Sequence, residues 1–171
     1  MEVYHQTPIG NLRIRATMEG ITHLILPNEP IPPIDAEVAT RTSDAATVRL
    51  LGAAIEWLDA YFAGETRPAD LPLAPAGTPW MKTIWKLMRQ IPYGQTATYG
   101  ALAHLAGRPQ AARAVGLACH RNPLPLFVPC HRVVGADGSL TGFSAGLALK
   151  RQLLDLEALH SYTQPKYTKP T

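Results

Sequence analysis

Near the start of the chain, apolar and polar positions alternate in three short runs: Val3, His5 and Thr7; Leu12, Ile14 and Ala16; Ile21, His23, Leu24 and Leu26. Pro8-Ile9-Gly10 and Glu19-Gly20 supply the turns, so the pattern predicts three antiparallel strands. The four prolines between Pro27 and Asp35 break any periodicity, and that segment reads as an extended linker over the surface. Beyond it the period changes to three and four residues. Val48, Leu51, Ile55, Leu58 and Phe62 form the apolar face of a helix behind a Ser43-Asp44 cap signal, and the helix stops at Ala63-Gly64.

A second proline-rich run, from Arg67 to Pro79, separates this module from the rest. The expected division is an N-terminal module with its linker over 1–78, a second domain over 79–160 and a flexible tail over 161–171. Thr78 is placed to cap a helix that has Pro79 at its first position and carries Trp80, Ile84, Leu87 and Met88. It must end near Gln90, because Pro92-Tyr93-Gly94 is a turn. Thr98 caps another helix, Tyr99 to Ala106, closed by Gly107. Pro109 starts a further one, Gln110 to about Arg121. Two short helices joined by a tight glycine turn have helix-turn-helix spacing, and the second combines small residues (Ala111, Ala112, Ala114, Gly116, Ala118) with Arg113 and Arg121. A last helix, Leu147 to about Leu159, has a leucine face at 149, 153 and 156.

With 46% hydrophobic and 17% charged residues in 171, the chain can bury a sizeable core. No apolar run approaches a membrane span and no secretory leader is visible, which predicts a cytoplasmic protein without membrane contact. Charge is uneven: Met1 to Trp80 carries net −5 and Met81 to Thr171 net +8. The second half is therefore the anion-binding half, and phosphate neutralisation by Lys and Arg points to nucleic acid. A merely solvated basic face is the alternative.

Only two cysteines are present, Cys119 and Cys130, with no CxxC spacing, so neither a disulfide framework nor a structural zinc site is expected. Cys130 stands in Pro129-Cys130-His131-Arg132-Val133, inside an apolar stretch from Leu124 to Val134. A thiolate attacks soft electrophiles, and Arg132 beside it suggests an electrophile carried on a polyanion. Adjacent residues of an extended segment point to opposite sides, so direct pairing of Cys130 with His131 is awkward unless a water or a sharp turn intervenes. A carboxylate on the far imidazole nitrogen would fix the tautomer, and Glu157 is the candidate, although periodicity alone favours a solvated Glu157.

Pro129-Cys130-His131-Arg132-Val133, preceded by Arg113-Ala114-Val115-Gly116 and Asn122-Pro123 and followed by Gly142-Phe143-Ser144-Ala145-Gly146, closely resembles the O6-alkylguanine-DNA alkyltransferases. The likeness runs from about Pro79 to Glu157, and Tyr61-Phe62-Ala63-Gly64-Glu65 looks like that family's N-terminal module. It implies an α+β protein: a three-stranded antiparallel sheet with a helix, RNase H-like, followed by a mainly α, winged-helix-like helix-turn-helix domain. It also implies single-turnover repair, in which an alkyl group moves from guanine O6 to the protein's own cysteine.

Under the resemblance Cys130 is the acceptor, His131 the base acting through water, Glu157 its orienting carboxylate and Asn122 the brace of the cysteine turn. Tyr99 assists nucleotide rotation and charge on the departing guanine, and Arg113 fills the vacated stack. Ala112, Gly116, Arg121 and Arg132 complete the DNA contacts, with the second helix in the minor groove and the base flipped. Val133, Phe143, Ser144 and Ala145 line the pocket, with Phe143 where the family usually has tyrosine and Ala145 where glycine is common. No metal or cofactor is implied. The expected partner is double-stranded DNA containing O6-alkylguanine, bound by a monomer, with cooperativity along DNA left open. Two other classes compete: a DNA-binding module without transfer, against which Cys130 argues, and a Cys-His hydrolase, against which the adjacency of Cys130 and His131 argues.

Overall fold

The structure, a computed structural model, describes residues 1–33 and 44–163. Three antiparallel strands, β1 (Glu2–Thr7), β2 (Gly10–Thr17) and β3 (Gly20–Ile25), form a sheet in sequence order. Its register pairs Val3 with Ile14 and Ile14 with Leu24. The alternation seen in the sequence turns Leu12, Ile14, Ala16, Ile21 and Leu24 inward, each at most 1% exposed.

Helix α1 (Ala45–Phe62) packs on this face. Asp44 caps it by accepting from Thr47 N–H at 2.8 Å, while Ser43 lies outside the described residues, as does the end of the Pro27–Asp35 linker. The buried stripe is Leu51, Ala54, Leu58 and Tyr61, flanked by Trp57. Val48, expected on the apolar face, is 50% exposed.

The Arg67–Pro79 run is tied down more tightly than a linker would be. Leu73 bridges to Ile21 in parallel, with Ile21 N–H donating to Pro72 O and Ala74 N–H to Ile21 O, both at 2.8 Å. Proline tolerates such an edge position because an edge residue needs no second ladder donor.

Helix α2 (Pro79–Met88) starts as the Thr78-Pro79 pair predicts, with Thr78 Oγ1 accepting from Met81 N–H. It buries Met81, Ile84, Trp85 and Met88; Trp80 and Leu87, expected on that face, are half-buried. Both indoles dock on the backbone of a later helix, Trp80 Nε1–H on Ala114 O (3.3 Å) and Trp85 Nε1–H on Ala118 O (2.8 Å). That helix is α4 (Ala112–His120), which follows α3 (Tyr99–Leu105) across the Gly107 turn. α4 begins two residues later than the sequence suggests, because Pro109 and Gln110 are spent on the turn.

A two-stranded parallel pair, β4 (Ala97–Thr98) with β5 (Val133–Val134), joins the start of the helix pair to the segment after Cys130. Helix α5 (Leu147–Thr163) closes the fold and runs beyond Leu159. The stretch expected to be flexible thus begins as helix, with Ser161 Oγ–H donating to Glu157 O at 2.7 Å; residues 164–171 lie outside the described ones.

The turn after α2 rests against the end of α5. Gly94 has φ +74°, and a Cβ there would lie 2.9 Å from Ser161 Cβ and closer still to its hydroxyl. Both the backbone and the space therefore demand glycine. Gly94→Ala is expected to cost about 1–3 kcal/mol of unfolding free energy, measured by urea denaturation.

Candidate active site

The cysteine motif is not extended. Cys130–Arg132 form one turn of 3-10 helix behind Pro129, then the chain straightens into β5. This is the sharp turn the chemistry requires, and it replaces the opposite-facing arrangement of an extended chain. The loop before it is strained and braced. Leu126 has φ +70°, which costs a residue with a Cβ on the order of 1–2 kcal/mol. Asn122 spans the loop with both ends of its amide, donating from Nδ2 to Val128 O (2.8 Å) and accepting at Oδ1 from Leu124 N–H (3.0 Å).

Cys130 is buried at 6% exposure. Burial pushes its thiol up to about 11; Asn122 and Lys150 oppose the rise, and Glu29 adds to it. At neutral pH Cys130 is therefore a protonated thiol. Lys150 is itself fully buried and spends its ammonium on Val133 O (2.6 Å) and Thr141 O (2.9 Å).

Glu157 overturns the solvated reading. It is 0% exposed and accepts from four residues. His131 Nε2–H donates to Oε1 at 2.6 Å, Tyr61 O–H to Oε1 at 2.7 Å and Gly94 N–H to Oε2 at 3.0 Å. Arg132 grips both oxygens, with Nε 2.9 Å from Oε2 and Nη2 3.0 Å from Oε1. Burial would raise this carboxyl, but the hydrogen bonds from His131 and Arg132 and the guanidinium charge outweigh it and hold Glu157 at about 2. His131 moves the other way: burial lowers it further than Glu157 raises it, which keeps the ring neutral. With Nε2 carrying the proton, the lone pair sits on Nδ1, which is buried and has no protein partner.

Arg132, expected at DNA, is placed among buried partners. It is 8% exposed, it grips Glu157, and its Nη1 donates to Ile91 O at 2.7 Å, so the guanidinium faces inward. The other expected contacts lie on α4: Arg113 and Arg121 are exposed, while Ala112 and Gly116 are half-buried. Tyr99, at the start of α3, donates its hydroxyl to Thr141 O (3.0 Å), and its ring lies 3.9 Å from where a Cβ on Gly116 would stand. On the loop before α5, Phe143 and Ala145 are half-buried and Ser144 is exposed, its hydroxyl bonded to the Glu29 carboxylate. The carbonyl of Val133, expected in the pocket lining, accepts from Lys150. Cys119 is buried against Met88 Sδ, 3.5 Å away. Among the described residues no cluster of His, Cys, Asp or Glu could hold a metal ion, and no helix is long and apolar enough to cross a membrane.

Sequence reasoning missed Tyr61, Gly94 and Lys150. Tyr61 lies on the three-and-four period of α1 and Lys150 three residues before Leu153 on α5, so periodicity marks both as inward-facing, but nothing in the sequence links Tyr61 or Gly94 to a carboxylate more than sixty residues away.

The depressed Glu157 acid contributes stability that is present above its ordinary value near 4.5 and lost as pH falls towards about 2. Wild-type unfolding free energy should drop across that window by up to about 3 kcal/mol more than that of Glu157→Gln, measured by urea denaturation at a series of pH values.

The family described as 6-O-methylguanine DNA methyltransferase matches the chain in two parts, its ribonuclease-like domain over residues 1–75 and its DNA-binding domain over 79–159. A methylated-DNA–protein-cysteine methyltransferase of Methanosarcina barkeri is 41% identical over 153 residues, 89% of this chain and 93% of that protein. Its counterpart in Methanosarcina acetivorans is 55% identical over 100 residues, 58% of this chain and 64% of that protein. The crystal structure of Mycobacterium tuberculosis OGT in complex with DNA superposes with a TM-score of 0.81 at 39% identity, covering 93% of each chain. The chain belongs to the family of O6-methylguanine-DNA methyltransferases, repair proteins that move the alkyl group from DNA to a cysteine of their own.

Proposed function

We propose that this protein repairs O6-alkylguanine in double-stranded DNA by a single transfer of the alkyl group to Cys130. The observation that carries the assignment is the buried Cys130 thiol on a 3-10 turn whose next residue, His131, is held in one tautomer by Glu157. The thiol proton passes through a water to His131 Nδ1, the ring atom with a lone pair and no protein partner. The sulfur then attacks the saturated alkyl carbon; a C–S bond forms, the C–O6 bond breaks, and its electron pair stays on the guanine, which takes up one proton. Tyr99 assists that developing charge. Nothing in the site cleaves a thioether, so the protein is consumed.

Helix α4 is the DNA-contacting element in this reading. Ala112 and Gly116 allow close approach to the minor groove, Arg121 meets phosphate, and Arg113 fills the stack vacated by the flipped nucleotide. Flipping is required because the thiol is buried while Arg113 and Arg121 stand at the surface. The alkylated base enters a pocket formed by Val133, Phe143, Ser144 and Ala145. We assign the N-terminal boundary of the working domain to residue 79, and take the protein to act as a cytoplasmic monomer without cofactor or metal.

Incubation with duplex DNA containing O6-methylguanine should add one methyl per protein, confined to the Cys130 peptide in a mass map. Cys130→Ala should bind the lesion without gaining mass; continued transfer in that variant would refute the mechanism. Arg113→Ala should slow transfer from duplex by on the order of tenfold or more while leaving transfer from the free base O6-benzylguanine nearly unchanged, because only duplex requires flipping. Equal losses with both substrates would remove the finger role.

A further inference from the structure

The N-terminal module places one side chain in the active-site network. Tyr61, in the last turn of α1, is 1% exposed, and its hydroxyl donates to Glu157 Oε1, the same oxygen that receives His131 Nε2–H. The hydroxyl oxygen also lies 3.4 Å from His131 Nε2. The ring is fixed on several sides: Trp57 stacks on it at 5.5 Å, and Phe62, Tyr93 and His131 meet it edge-on at 5.1, 5.5 and 6.4 Å between centroids. A phenylalanine would satisfy the packing alone. Burying a hydroxyl here serves the carboxylate, to which it gives a permanent, charge-assisted donor.

We propose that Tyr61 is a positioning residue of the transfer reaction: its hydroxyl holds Glu157 in place and tempers the oxygen that faces His131, so that the imidazole keeps its Nε2 proton, stays neutral and leaves Nδ1 open to accept the thiol proton. The inference rests on the roles of Cys130 and His131 given above. Oε1 already receives Arg132 as well as His131, and each donor weakens the pull of that oxygen on the imidazole. Without the tyrosine hydroxyl the carboxylate becomes a stronger partner for an imidazolium, and the base is lost to protonation at a higher pH. The groups that face His131 and Glu157 are Tyr61 from α1, Tyr93 and the Gly94 amide from the turn after α2, Arg132 from the 3-10 turn, and Lys150 from α5. Of these, only the tyrosine hydroxyls are neutral side-chain donors, and Tyr93 makes no hydrogen bond through its own.

The test measures the rate of methyl transfer from O6-methylguanine duplex against pH for the full chain, its Tyr61→Phe variant and a form with 3-fluorotyrosine at position 61. Fluorination keeps the shape and strengthens the donor. Tyr61→Phe should lose at least about threefold more rate near pH 6 than near pH 8.5, with the acid limb moved up; the fluorinated form should move it down. A loss of equal size at every pH, or an acid limb unmoved by fluorination, would overturn the inference and leave Tyr61 a packing residue. If Tyr61→Phe does not fold, the fluorinated form alone decides. A wild-type protein that transfers no methyl would fail the repair reading itself, whereas wild-type transfer with unshifted profiles fails only the role of Tyr61.

Discussion

The rest of this structure depends on one buried negative charge. Removing a carboxylate from water costs several kcal/mol even after relaxation, and the Glu157 side chain has no solvent contact. The fold answers with donors from every direction: Tyr61 on α1, the Gly94 amide on the turn after α2, His131 and Arg132 on the 3-10 turn. The donors come from three separate parts of the chain, and all must be in place for the charge to be tolerated. The same convergence holds α1, the α2 turn and the cysteine turn on α5. Arg132 then ties the assembly to the end of α2 through Ile91 O.

That arrangement separates two tasks that the protein performs on one substrate. Recognition of a polyanion needs exposed cations, and Arg113 on α4 and Arg121 just after it are both exposed. Attack on an alkyl carbon needs a nucleophile shielded from water and a base that is not already protonated. Burial keeps the Cys130 side chain from water and holds His131 down. Trp80 and Trp85 connect the two regions, because both hang α4 from α2 by indole bonds to its carbonyls. Lys150 anchors the far side, joining the strand after the motif to the carbonyl that also receives Tyr99. A charge inside and charges outside thus share one small scaffold.

Arg132 and Glu157 show why such sites resist reading by residue type. A lone arginine beside a reactive cysteine suggests a phosphate contact, and a glutamate near a helix end suggests solvent. Here each is the other's partner, so both go inside, and the pair supports the turn instead of the ligand. Tyr61 carries the same lesson in the N-terminal module, where a helical tyrosine reads as core but holds a carboxylate from the last helix.

Local patterns by themselves determined much of this protein. Period-two alternation defines the three strands, cap and proline signals define α1 and α2, and the glycine turn at Gly107 defines the helix pair, because each depends on neighbours within about four residues. The Pro-Cys-His-Arg-Val motif and the Asn-Pro pair before it, through their likeness to a known family, also pointed to Cys130, His131 and Asn122. Only the tertiary structure decided that Glu157 is buried, that Arg132 faces inward, that the prolines near Leu73 edge the sheet and that Tyr61 reaches the site. Those outcomes turn on the desolvation of a charge and on contacts between residues twenty-five to ninety-six positions apart, and no local period along the chain encodes either.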